Sequence, residues 1–559
     1  MTGTANDDEI LNEPSSASLE SGYPLWMKLV GIGGFVIALL IYAMRMNRVF
    51  GLFVDDAWYM LLAKSLATGQ GYSVINSPSP GILPLYPPAY PFLLSLLYRL
   101  SPQFPENIVL LKWLSVVAML GSGALTYWYF TRHRKLTPGL AWTIGLATVL
   151  SPTLVFLATS SLMSECVFTC IFLAAVVAGE RGVQLREGRQ AWVFLALGAA
   201  LASGAFLMRS IGLSVMAALF LYLLKERLVK QALITGALMA ALAGPWMLYS
   251  RSHAPTPAQQ QEQGGNIVQP YTQQFWQNRA GDASSGTARV KDLPARVLAN
   301  TLEISGRNVA RILVTPIFEA LLDPAKEIKN QNLQSGGQLN WLFLSFLLTA
   351  LLIVGFVVAV RAEFRLADLA VLFSLGITVL WPWETFRFVL PLTPFLIFYL
   401  LMSVRMIAGL AAPSALGGRL PQQAVLAVAA LLLAINLYPH VRLLLKDNSL
   451  SVMEDNSWEL MFNEAEQMAQ QLQRTLPQDG VVSTTNPAFL HLYSGHKTVS
   501  SGDASVKWEE WKKLGVRYIA RIAVFTDSTS PEESGYRVVY KSRRVPGFWV
   551  VDLGTPASR

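Results

Sequence analysis

The sequence predicts a polytopic α-helical membrane protein, with about eleven transmembrane helices, a cytoplasmic N-terminus and a C-terminal soluble α/β domain on the outer face. Three observations carry this. Of the 559 residues, 53% are hydrophobic and only 14% charged, whereas soluble domains carry about a quarter of their residues as Asp, Glu, Lys or Arg. Mean hydropathy is +0.39, and the apolar residues come in runs of roughly 17–25, the length that crosses a bilayer. Small clusters of Lys and Arg stand at every second connection between those runs.

Taken in order, the expected spans are 26–44, 108–130, 139–157, 162–179, 191–207, 211–224, 232–249, 339–360, 367–380, 388–404 and 423–437. The segment before them, 1–24, is polar and acidic and lacks the basic flank of a cleavable signal peptide; it reads as a disordered cytoplasmic tail. Basic residues assign the sides. Arg132, Arg134 and Lys135, then Arg181, Arg186 and Arg189, then Lys225, Arg227 and Lys230, then Arg361 and Arg365, then Arg405 and Arg419 follow alternate spans. The bias of such residues toward the cytoplasm places the N-terminus inside, and an odd count places the C-terminus outside. Arg45 and Arg48, after the first span, run against this. The +8 formal charge is thereby accounted for by topology, and no nucleic-acid partner is expected. Cys166 and Cys170, four apart in an apolar run, read as small buried hydrophobes and exclude a disulfide framework or a Cys-based zinc site.

A membrane domain is thus expected over 25–441, with outer loops at 45–107 and 250–338, and an extracytoplasmic domain over 442–559. The second loop opens on a Gln-rich stretch, 255–265, and 293–322 has helix-like apolar spacing suited to the membrane surface. In the C-terminal segment the period changes. An amphipathic helix is predicted over 458–476, strands over 480–484, 516–520, 537–540 and 548–551, and a helix start at 488–493 after Thr484-Thr485-Asn486-Pro487. Either a supporting lid or a catalytic part fits that pattern.

Candidate chemistry collects in the outer segments. Asp55 and Asp56 open a helical pattern in which Tyr59 and Ala63 share a face, followed by Gly69-Gln70-Gly71. Two readings stand: the acids cap a helix in a solvated loop, or a carboxylate faces a polar cavity within the bundle. Next, Leu83 to Pro91 holds Tyr86 and Tyr90 among prolines, a stiff segment with rings suited to the headgroup level. Glu165 follows Ser164 near the outer end of a span, Arg209 stands between two closely spaced spans, and Trp381-Pro382-Trp383-Glu384-Thr385-Phe386-Arg387 links two more. Arg209 and Arg387 suit a phosphate, which guanidinium groups grip through charge-assisted hydrogen bonds. Asp55, with Asp56 beside it, suits proton acceptance from an incoming hydroxyl or amine. Tyr59, Tyr86, Glu165 and Glu384 complete the candidate set.

These stretches resemble the membrane glycosyltransferases of the C-type superfold, nearest the bacterial aminoarabinose transferase and protein O-mannosyltransferase-like group. The likeness rests on 53–59 with Gly69-Gln70-Gly71, the Tyr/Pro stretch, Ser164-Glu165 and Arg387-Phe388-Val389-Leu390-Pro391. It implies sugar transfer from a polyprenyl-phosphate donor at the outer face of the inner (plasma) membrane, with inversion at the anomeric carbon. The acceptor is a lipid, a glycan or a protein. Asp55 matches the first acid of the first outer loop, which such families assign to acceptor binding or activation, although the pair here is Asp-Asp where many relatives have Asp-Glu. Arg387 lies in the pattern near the lipid phosphate site. A divalent metal is used by some relatives and is left open here. A lipid or polysaccharide transporter, or a non-catalytic envelope assembly component, is the alternative reading.

Overall fold

The computed structural model describes residues 25–78, 86–254, 256, 271–279, 282–314, 337–411, 419–447, 457–477, 479–500, 515–522, 535–545 and 547–556. The expected tail at 1–24, nearly all of the Gln-rich stretch and the last part of 293–322 lie outside these.

The membrane part corrects the expected count of about eleven spans. Seven described helices are long and apolar enough to cross a bilayer: Ile108–Arg132, Glu165–Leu185, Arg189–Met208, Val229–Ser252, Leu342–Ala362, Phe386–Ala411 and Leu420–Arg442. An eighth results if Pro138–Val149 and Pro152–Thr159, bent by 50°, form one span. The other three apolar runs make helix Leu25–Arg45 and the shorter helices Ser210–Lys225 and Leu366–Leu380. Local chemistry explains two of these. Arg209 leaves the helical conformation ahead of a 3-10 turn at Ser210–Gly212, and Trp381-Pro382 follows Leu380, where the residue before a proline is driven to extended backbone. Seven spans would put the termini on opposite sides and eight on the same side, so the count alone no longer places the C-terminus.

At one end the bundle is tied by buried ionic groups. Arg134 meets Asp368, which also accepts the Tyr399 hydroxyl at 2.7 Å. Glu180 accepts the Tyr129 hydroxyl at 3.1 Å and the Ala367 N–H at 3.1 Å, with His133 at 3.3 Å. Charges this deep persist because each has partners. Helix Gly337–Ala362 crosses Thr393–Ala411 with almost no separation: a Cβ on Gly355 would lie 1.7 Å from the Tyr399 carbonyl oxygen.

In the second loop, strands β1 (Gln277–Arg279) and β2 (Asp282–Thr287) pair antiparallel. Helix Leu293–Glu303, none of whose residues is buried, precedes a π-helical turn at Ile304–Asn308.

The C-terminal part is an α/β unit. Strands β3 (Val481–Thr484), β4 (Thr498–Ser500), β5 (Val516–Ile522), β6 (Tyr536–Lys541) and β7 (Phe548–Pro556) form one sheet in the order β4-β3-β5-β7-β6. β3 runs parallel to β4 and β5, while β7 is antiparallel to β5 and β6. Helix Ser457–Thr475 covers it with a stripe at helical spacing, Met461, Phe462, Ala465, Met468, Ala469 and Leu472, all buried. The unit sits directly on the first loop. Asn76 Nδ2 donates to Thr498 Oγ1 at 3.0 Å, Lys497 Nζ to the Ile75 carbonyl at 2.8 Å, and the Tyr493 and Phe104 rings meet edge to face at 4.9 Å.

Candidate active site

The first loop is anchored by a lysine. Lys112, fully buried in helix Ile108–Arg132, donates to the carbonyls of Asn47 (2.9 Å), Val49 (2.6 Å) and Thr159 (3.0 Å). A buried ammonium must use its donors, and three backbone segments are thereby gathered at one point. The chain then turns sharply. Asp55 N–H donates to the Phe53 carbonyl at 2.7 Å across Val54, whose φ of 66° and ψ of −56° form a γ-turn that a β-branched residue rarely adopts. Helix Asp55–Ala67 begins at once.

The two aspartates part company there. Asp56 points inward and is fully buried, and its carboxylate accepts the N–H groups of Gly51 at 2.8 Å and Ala57 at 3.1 Å. Burial pushes its carboxyl up to about 6 against the pull of the Gly51 N–H, with the neighbouring Asp55 charge adding to the rise. Asp55 points into the site with its side chain 32% exposed, accepting the Tyr86 hydroxyl at 2.9 Å and Arg387 Nη1 at 3.0 Å.

Arg387, in the short helix Phe386–Val389, reaches the other way through Nε to Glu165 Oε1 at 2.6 Å. That same oxygen lies 3.0 Å from Arg209 Nη1, which also donates to Ser164 Oγ at 3.0 Å. Glu165 is the first residue of its helix, fully buried, where the helix N-terminus favours a negative charge. Two carboxylates and two guanidinium groups thus form one continuous ionic row, Asp55–Arg387–Glu165–Arg209, ending where Arg209 lies over the Phe388 ring at 5.4 Å.

Tyrosines frame the row. The Tyr59 ring packs edge to face on Tyr86 at 5.2 Å and on Tyr90 at 5.1 Å, and its hydroxyl is 3.4 Å from Ser164 Oγ. Burial raises its phenol, while the Arg209 charge opposes this. Tyr72 fixes the backbone of Tyr86 by donating to its carbonyl at 2.7 Å. Tyr271, from the second loop, also faces this group; burial pushes its phenol up to about 12, with the Arg209 charge pulling down.

Of the residues singled out by sequence, the structure gathers Asp55, Tyr59, Tyr86, Glu165, Arg209 and Arg387. Asp56 is set into the loop beneath, and Glu384 is exposed on the surface outside the row. Lys112 and Tyr271 were not among the candidates. Lys112 had a signal, a lone charge inside an apolar span; Tyr271 had none. Among the described residues no three His, Cys, Asp or Glu side chains gather as a metal site needs. Both acids of the row are also committed to arginines, so the described residues of the row do not by themselves make a divalent-ion site.

The fold has counterparts among solved structures. ArnT from Cupriavidus metallidurans, bound to undecaprenyl phosphate, matches over 93% of this chain and 97% of its own, at 13% identity and a TM-score of 0.50. The archaeal oligosaccharyltransferase AglB from Archaeoglobus fulgidus, in complex with an inhibitory peptide and a dolichol-phosphate, matches over 92% of this chain and 73% of its own, at 11% identity and a TM-score of 0.52. No protein-family model and no curated protein matches the sequence. At these identities the likeness is one of fold.

Proposed function

We propose that this multi-pass membrane protein, whose fold resembles that of the C-type membrane glycosyltransferases, transfers a sugar from a polyprenyl-phosphate donor to a lipid, glycan or protein acceptor. The observation that carries this is the ionic row: a half-exposed carboxylate at one end, and guanidinium groups already oriented by a buried one. Arg181, Arg186 and Arg189 gather at the end of helix Glu165–Leu185 opposite Glu165, which supports a site facing away from the cytoplasm, on the periplasmic or outer side of the inner membrane.

In this reading the donor phosphate takes Arg387 and Arg209, whose charges Glu165 holds in position. Asp55, released from Arg387 as the phosphate arrives, orients the acceptor hydroxyl or amine and accepts its proton. The nucleophile forms its bond to the anomeric carbon as the bond from that carbon to the phosphate oxygen breaks, and the electron pair leaves with the lipid phosphate. Displacement in one step inverts the anomeric centre. The negative charge that develops falls between two guanidinium groups already in place, which is where electrostatic stabilisation is strongest. Asp56 has no step.

The test is direct. The protein, purified in lipid, is supplied with a panel of polyprenyl-phosphate sugars, and free lipid phosphate and transferred sugar are both measured. Asp55→Asn is expected to lose about 100-fold to 10,000-fold in turnover, the usual worth of a positioned base. Wild-type turnover in that variant removes Asp55 from the chemistry. Movement of intact donor across the membrane without cleavage favours a transporter.

A further inference from the structure

The backbone that carries Asp55 is strained, and what holds it comes from the other end of the chain. Val54 stands at φ 66° between the Gly51 turn and the Asp55 helix. A non-glycine residue there is strained and persists only where its surroundings over-determine it. The Gly51 carbonyl receives the Val54 N–H at 3.4 Å and, at 2.6 Å, Nδ2 of Asn486, a buried residue of the C-terminal unit. The Gly51 N–H is taken by Asp56, and a Cβ on Gly51, itself at φ 81°, would meet the Phe489 ring at 2.4 Å. Gly51 is therefore clamped on three sides, two of them supplied by residues more than four hundred positions away. Asn486 is itself held: its Oδ1 accepts the Phe489 N–H at 3.4 Å as the N-cap of helix Pro487–Ser494, and its N–H donates to Thr484 Oγ1 at 3.3 Å.

We infer that Asn486 is a positioning residue of the transfer site: through the Gly51 carbonyl it locks the strained Val54 turn and so aims Asp55 at the acceptor. The C-terminal α/β unit is on this account a working part of the site. The inference rests on the transferase reading for its catalytic purpose, but the clamp itself is a statement about backbone and can be read separately.

Asn486→Asp is the informative variant. Aspartate caps a helix as well as asparagine does, so the C-terminal unit keeps its fold, while the donor to Gly51 is replaced by a carboxylate oxygen facing a carbonyl. Two measurements are made on the full-length protein in lipid. Amide hydrogen exchange over 51–55 is expected to accelerate about tenfold or more, as a locally opened segment does. Turnover is expected to fall about tenfold to 100-fold, the cost of misplacing a reacting group by about an ångström, with KM for the donor within about twofold because the arginines are untouched. In an Asp55→Asn background, Asn486→Asp is expected to slow turnover no further, since a residue acting through Asp55 has nothing left to position. Unchanged exchange overturns the clamp, whatever the chemistry. Faster exchange with wild-type turnover, or losses that multiply in the double variant, overturns the positioning role. Full turnover in Asp55→Asn alone overturns the transferase reading, and with it the catalytic purpose of the clamp, while the exchange result stands.

Discussion

Arg387 is the residue on which the site turns, because it donates through two different nitrogens to two different acids. A lysine presents one compact charge and no fork. Arg387→Lys is therefore expected to raise KM for a polyprenyl-phosphate sugar about tenfold or more, in keeping with about 1.5–3 kcal/mol for a hydrogen bond to a charged group. Steady-state kinetics against donor concentration checks this, and an unchanged KM removes Arg387 from the phosphate. Asp56 makes a prediction of a different kind. Its carboxyl, ordinarily near 3.8, is raised to about 6 in the folded protein. Between those values the folded state binds more protons than the unfolded one, so stability falls as pH rises through about 4 to 6, by up to about 3 kcal/mol. Below that window the contribution is fully present. In Asp56→Asn, thermal unfolding measured from pH 4 to 7 is expected to lose that downward slope, and a slope kept intact assigns it to another group. Adjacent acids thus have opposite environments. Their identity and location were legible in the sequence, but which of the two turns inward depended on Val54 and Gly51. Likewise, the charge pattern put Glu165 and Arg387 on one side without revealing that they touch, a contact spanning 222 positions.

Among the elements, apolar runs marked where helices form, while their lengths were set by interruptions. Arg209 and Trp381-Pro382 end helices where the apolar runs also stop, and Pro152 follows the bend between two halves of a candidate span. The strands β3, β5, β6 and β7 lie over the runs where alternation and β-branched residues pointed to them. Close helix packing was not legible. Gly355 reads as one small residue in an apolar helix, yet it admits the Tyr399 carbonyl to a place where any side chain would collide with backbone. Backbone cannot rotate away as a side-chain tip can. Gly355→Ala is expected to destabilise the protein by about 1–3 kcal/mol or more, seen as a lower unfolding temperature in detergent. An unaltered temperature means that the two helices separate there without cost.

For the molecule as a whole, the membrane character was plain from the shortage of charge, and the likeness of the fold to the C-type superfold was carried by the order of a few polar stretches. What no local pattern held was the seating of the C-terminal unit on the first loop, made by Asn76 with Thr498 and by Gly51 with Asn486 across more than four hundred residues. That seating ties the side of the membrane on which the unit lies to the side on which Asp55 lies. If both face away from the cytoplasm, a cysteine at the exposed Arg474, Arg474→Cys, reacts with a membrane-impermeant maleimide in intact spheroplasts, whereas the native cysteines sit in a membrane helix. Labelling seen only after the membrane is opened reverses the orientation and moves the site to the cytoplasmic face.

Glu165 and Glu180 stand on one helix, fifteen residues and so about 22 Å apart. Near one end of that rod a carboxylate meets Arg387 and Arg209; toward the other, a carboxylate meets Tyr129, His133 and the backbone of Ala367. The rod therefore cannot slide along its axis without breaking ionic contacts at both ends together. If the proposed transfer is right, the guanidinium groups that would receive the departing phosphate are already held in place by Glu165 when the chain has finished folding, and the barrier contains little contribution from moving them.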